Sequence, residues 1–148
     1  MPPFLSDQVV QQVQNVFNGL RLPVEVIFFG SQSQNCEYCE QALQLLVEVV
    51  SLNDLLSFQQ RDLEEDAALA AQYGVDKVPA MVFTARDGVK LSDRRLRFYG
   101  IPVGSEFTSF VNDLLLVSRR DSGLSDETRR FLHGLVKPVH LEVFVTPT

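Results

Sequence analysis

The chain has 148 residues, 45% of them hydrophobic, which suits one globular domain with a proper core and excludes a disordered chain. A formal net charge of −6 argues against nucleic acid or an anionic membrane as a partner. The arginines at 94, 95, 97, 119, 120, 129 and 130 sit among acidic residues and read as a solvated face or as element ends.

Taken in chain order, Val9, Val13, Val16 and Leu20 repeat at helical spacing, with Ser6 as N-cap and Asn18-Gly19 as the stop. "PVEVIFFG" follows, a buried strand bounded by Pro23 and Gly30. The polar loop "SQSQN" leads into "CEYC", and "EQALQLLVEVV" then reads as a helix with a broad apolar face. "LLSFQQRDL" is a predicted strand, and "EEDAALAAQYG" a helix closing at Gly74. "AMVFTA" and "LRFYG" are predicted strands joined through "RDGVKLSD", whose Asp87-Gly88 is a turn signal. Phe107, Phe110, Leu114 and Val117 mark a further amphipathic helix. Strands interleaved with helices predict an α/β domain with a hairpin at one edge. The N-terminus "MPPFLSDQVV" has neither a basic region nor a signal-length apolar stretch, and no run approaches a membrane span. The expected compartment is the cytoplasm, where thiols stay reduced.

The only two cysteines, Cys36 and Cys39, fall where a strand's carboxyl end feeds a helix, a place where sites of open α/β sheets gather. A zinc site needs about four ligands, and the two histidines, His133 and His140, lie far along the chain. A structural staple closing so short a loop removes little chain entropy. A reversible redox pair is favoured over both. The unpaired amides and partial positive charge of a helix N-terminus favour a thiolate there. Cys36, at or before the cap, is the expected nucleophile. Cys39, one turn in and expected to be more buried, is the resolving thiol. Glu37 and Glu40 flank the pair; they oppose a second negative charge, or simply suit the helix dipole as solvated acids. Pro79 precedes a strand, and an X–Pro bond is ordinarily trans.

Together these residues resemble the thioredoxin superfamily. "CEYC" matches its active-site motif, and "KVPA" matches the position of its cis-proline. The resemblance implies a cis Val78–Pro79 bond, with Val78, Pro79 and Tyr38 on the substrate side. Tyr38 is similar to the tyrosine of glutaredoxin's Cys-Pro-Tyr-Cys, although Glu37 replaces the proline. Thioredoxin has a buried aspartate six positions before its first cysteine; Gly30 stands there here, and Glu25 is the only acid in the strand. Over the whole chain, "CEYCEQALQLL", "YGVDKVPA", "RFYGIPVGSEF" and "LSDETRRFL…VFVTPT" resemble the glutaredoxin-like protein disulfide oxidoreductases of thermophiles. Those proteins fuse two thioredoxin-fold units.

An internal repeat agrees. Residues 5–29 recur at 124–145, each copy with Leu-Ser-Asp, an amphipathic helix, Pro-Val and a β-rich run. The expected organisation is a redox domain over 1–118, a linker at 119–123, and at 124–148 a helix and strand like the start of a second unit. The expected fold is thioredoxin-like, a central mixed sheet of about four strands flanked by helices, plus that extra helix and strand. The extra segment is expected to dock on the domain or to pair with a second copy, giving a homodimer. The function implied is thiol–disulfide exchange on protein thiols and disulfides through Cys36 and Cys39, with no bound cofactor and electrons from a thioredoxin-reductase-like flavoprotein. The alternatives are an electron-relay domain of a peroxidase reductase system and a non-catalytic interaction module.

Overall fold

A computed structural model describes residues 2–146. Helix α1 (Asp7–Phe17) starts at Ser6, whose side chain accepts the Val9 amide. Strand β1 (Val24–Gly30) is buried along its whole length. It leads through a short loop into α2 (Cys39–Val50), then β2 (Leu56–Asp62), α3 (Ala67–Tyr73), β3 (Ala80–Asp87), β4 (Lys90–Tyr99), α4 (Ser105–Arg119) and α5 (Asp126–His133). The sheet order is β2-β1-β3-β4, with β1 parallel to β2 and antiparallel to β3. This is a mixed four-stranded α/β sheet.

Alternation along β1 divides the core. Val24, Val26 and Phe28 pack with Phe17, Leu45, Leu46, Phe110 and Leu114 of α1, α2 and α4. Ile27 and Phe29 face the other way, against Ala70 and Val75 at α3. Glu25 lies on that second face and is only 6% exposed. Its carboxylate accepts hydrogen bonds from Ser57, Gln59 and Arg86, which is how a buried charge is tolerated. Glu48 anchors the N-terminus by accepting from the Phe4 and Leu5 amides.

Two elements differ from expectation. "KLSD" is strand, not loop: β4 begins at Lys90, paired with Asp87, and Gly88 at φ 65° leads a two-residue turn. Its polar side chains lie on an exposed edge, so nothing in their pattern marks a strand. A register shift opposite Phe83 and Thr84 absorbs Arg94 and Arg95, the latter at φ 59°.

The second difference is the tail. The extra helix is present as α5, capped by Ser125, but residues 138–146 join no sheet. The tail does not dock on the domain through its apolar residues: Phe131 is 69% exposed, Leu141 84% and Phe144 88%. The ion pair between Arg129 and Asp121, 2.7 Å, ties α5 back to the residues that follow α4 instead. A β-rich run needs a neighbouring strand to satisfy its amides, and no strand of the domain lies against this one. Among the described residues no helix is long and apolar enough to cross a membrane.

Candidate active site

β1 ends at Gly30 and the chain crosses from strand to helix through residues 31–38. Cys36 and Cys39 form a disulfide across this connection, with Cα atoms 5.4 Å apart. The helix starts at the second cysteine, so Cys39 is not one turn in. Tyr38 is the N-cap, without a side-chain capping bond, and Cys39 is the first helical residue. Cys36 therefore stands two residues ahead of the cap. Both cysteines are half-buried. What separates them is their surroundings. Cys39 packs over the end of β1, its Sγ 3.5 Å from where a Cβ on Gly30 would be. Cys36 sits beyond the helix end beside the exposed Glu37 and Tyr38, the latter 49% exposed.

Beside Cys39 lies an open polar cavity of about 590 Å³, walled by Gly30, Gln32, Glu40, Asp62, Glu65 and Asp66 among others. Asp62 belongs to β2 and pairs with Gly30 across the parallel ladder. Its Oδ2 accepts the Gln32 amide at 2.9 Å, and its Oδ1 accepts the Glu64 and Glu65 amides at 3.0 and 3.1 Å. The backbone bonds from Glu65 and Gln32 hold its carboxyl below the usual range. The Ser31 hydroxyl donates to Glu64 and accepts the Gln34 amide, both at 2.8 Å. The loop carrying Cys36 is thus fixed from the β2 side. Sequence reasoning missed Asp62 and Ser31, because a parallel ladder between distant segments leaves no local signal.

The Val78–Pro79 bond is cis, Pro79 is buried and Val78 half-buried. Ala80 pairs with Phe29, so this dipeptide lies at the sheet end from which the cysteine loop departs. Glu25 lies at the opposite end of β1 and belongs to the Arg86 network, not to the cysteines. His133 and His140 are exposed tail residues, His140 bonded to Glu142 at 2.8 Å. Among the described residues no group of three or more His, Cys, Asp or Glu side chains is arranged to hold a metal ion.

No protein-family model matches the chain, and no curated protein sequence matches it. Solved structures do. A protein disulfide oxidoreductase from Aeropyrum pernix superposes with a TM-score of 0.79 at 27% identity, over 96% of this chain and 60% of that one. A mutant of the alkylhydroperoxide reductase protein AhpF from Enterococcus faecalis gives 0.78 at 23% identity, over 89% of this chain and 61% of that one. The separate N-terminal domain of AhpF gives 0.75 at 23% identity, over 86% and 59%. The chain thus spans about three-fifths of the length of these proteins. The fold is thioredoxin-like, and the resemblance to protein disulfide oxidoreductases extends over nearly the whole chain.

Proposed function

We propose that the chain is a thiol–disulfide oxidoreductase acting on protein cysteines through Cys36 and Cys39. The observation that carries this is the Cys36–Cys39 disulfide, placed at a strand–helix junction with Cys36 standing beyond the helix end.

In the reducing direction, both cysteines begin as thiols. The Cys36 thiolate attacks one sulfur of a substrate disulfide, forming a mixed disulfide and expelling the other substrate sulfur as a thiolate, which takes up a proton. Cys39 then loses its proton and attacks Cys36 Sγ. The Cys36–Cys39 bond closes, the second substrate thiol leaves, and two electrons have passed to the substrate. Cys36 has the attacking role because it lies off the helix end, where first-turn amides point and a partner can approach. Cys39 is the first helical residue and packs over Gly30, within reach of Cys36. Tyr38, exposed beside Cys36, and the Val78–Pro79 backbone at the same sheet end form the substrate side.

A thioredoxin-reductase-like flavoprotein returns the two electrons, in the cytoplasm, and no cofactor is bound. Residues 1–118 are the redox domain, 119–123 the linker, and 124–148 an appendage built on the pattern of 5–29, through which two copies associate. The likeness to AhpF favours a second possibility, an electron relay to a peroxidase system. A redox titration tests the class. A reversible two-electron midpoint for the pair is expected, and its absence leaves a non-catalytic interaction module.

A further inference from the structure

We propose that Asp62 is the positioning residue of the cysteine pair: it fixes the loop that carries Cys36 and lays a permanent negative charge on the Cys39 side. This rests on the exchange function proposed above and adds to it the group that sets the ionisation of the inner thiol.

The geometry has three parts. Gly30 and Asp62 are ladder partners in a parallel pair, so their side-chain directions share one face. Phe28 and Phe58, two or four residues earlier on the same strands, pack in the cluster that contains α2, so that face is the one looking at Cys39. Gly30 has no side chain, and a Cβ there would already meet Cys39 Sγ at 3.5 Å. The carboxylate of Asp62 therefore shares with Cys39 the lining of one cavity, on the sheet face that α2 covers.

Three backbone amides point at that carboxylate, from Gln32, Glu64 and Glu65. They keep it ionised and immobile. It acts as a fixed charge and a loop clamp, not as a base that accepts the Cys39 proton. A fixed negative charge disfavours the thiolate of Cys39. Cys39 then stays protonated while Cys36 attacks, and gives up its proton only as it resolves the mixed disulfide. The other charged groups facing the cavity are Glu40 from α2, Arg61 from β2, and Glu65 and Asp66 from the β2–α3 connection. Arg61 is engaged by Asp66 at 3.6 Å. Glu37, between the cysteines, is exposed on the outer side.

The experiment uses the full chain carrying Cys36→Ser, so that Cys39 is the only thiol, and follows its alkylation rate by iodoacetamide against pH. Adding Asp62→Asn should lower the midpoint by roughly half a pH unit or more, about threefold in thiolate fraction at a fixed pH below the midpoint. Adding Ser31→Ala instead loosens the same loop without changing charge. It should leave the midpoint in place while raising amide exchange at Gln32 and Gln34. Should the asparagine variant not fold, Asp62→Ser, whose hydroxyl can still accept the Glu65 amide, takes its place. An unmoved midpoint on removing the charge, or an equal shift with Ser31→Ala, overturns the proposal. Because this titration involves no substrate and no turnover, a lack of exchange activity in the parent chain counts against the proposed function alone.

Discussion

Gly30 and Cys39 meet so closely that a Cβ on the glycine would lie 3.5 Å from the cysteine sulfur and 3.2 Å from Phe28 Cε1. The redox pair is thus seated directly on the end of the central strand, with only hydrogen between backbone and sulfur. Gly30→Ala must push the Phe28 ring, itself fully buried, by a few tenths of an ångström. We expect a loss of about 1–2 kcal/mol in urea unfolding, and a larger loss for Gly30→Val. An unchanged midpoint for Gly30→Val would show that the strand end has room the geometry denies.

The two cysteines should behave unequally toward substrate. Cys36→Ser should abolish disulfide reduction. Cys39→Ser should accumulate mixed disulfides with protein substrates, because release requires the inner thiol. Non-reducing gels with mass spectrometry read the adducts. Adducts in the Cys36→Ser protein alone would reverse the roles.

Glu25 offers a separation of stability from chemistry. Its carboxylate is 6% exposed and accepts from Ser57, Gln59 and Arg86. Glu25→Ala leaves those donors short of an acceptor. Because the Arg86 side chain is 42% exposed, water rescues part of the loss, and about 1–3 kcal/mol is expected. Glu25 stands five residues from Gly30, roughly 17 Å along the strand. The reduction midpoint of the cysteine pair should therefore stay within error of the parent chain. A shifted midpoint would mean that the network reaches the site.

How much of this could be read in the sequence follows the range of each interaction. The Ser6 cap, the Gly74 stop, the buried run of β1 and the strand–pair–helix order are all set within a few residues, and the structure has them as expected. The strand character of Lys90–Asp93 is hidden because its ladder with β3 stabilises residues whose own pattern is polar. Asp62 is hidden for a related reason. Its importance arises only when β2 lies parallel to β1, bringing it beside Gly30. The exact start of α2 is not marked in "CEYC", which carries no side-chain cap. The tail misleads in the other direction. Its alternation is that of a strand, but alternation makes a strand only where another strand answers it.

Acid should weaken the β4 edge in a defined window. Arg97 donates to both Asp93 carboxylate oxygens, at 2.8 and 2.7 Å, and this holds the Asp93 carboxyl below its ordinary value of 3.8. The folded state thus takes up this proton less readily than the unfolded chain. The stabilisation is fully present above pH 3.8 and is lost as pH falls through the lower folded value. Arg97 also donates to the Tyr73 carbonyl at the end of α3, so the pair ties β4 to that helix. Asp93→Asn should cost up to about 1 kcal/mol near neutrality, given its partial exposure, and nothing in strong acid. Urea midpoints of the two proteins should converge as pH falls. A constant gap would assign the loss to something other than the charge.

The tail carries the last prediction. Phe131, Leu141, Val143, Phe144 and Val145 are all more than two-thirds exposed, on a segment whose pattern matches the α1–β1 pattern of the domain. In the domain, the same pattern is buried because β2 and β3 flank β1 on both sides. Residues 138–145 join no sheet, and the apolar side chains among them from Val139 to Val145 are exposed together. Exposed β-rich segments of this kind pair with another chain. Association should therefore rise with concentration in sedimentation experiments, and trypsin cleavage after Arg129 and Arg130 should slow as it does. Val143→Lys with Phe144→Asp should leave the domain folded, keep the cysteine midpoint and hold the protein monomeric. A chain that stays monomeric at every concentration, with its tail cut equally fast throughout, would show that two copies do not associate through residues 124–148.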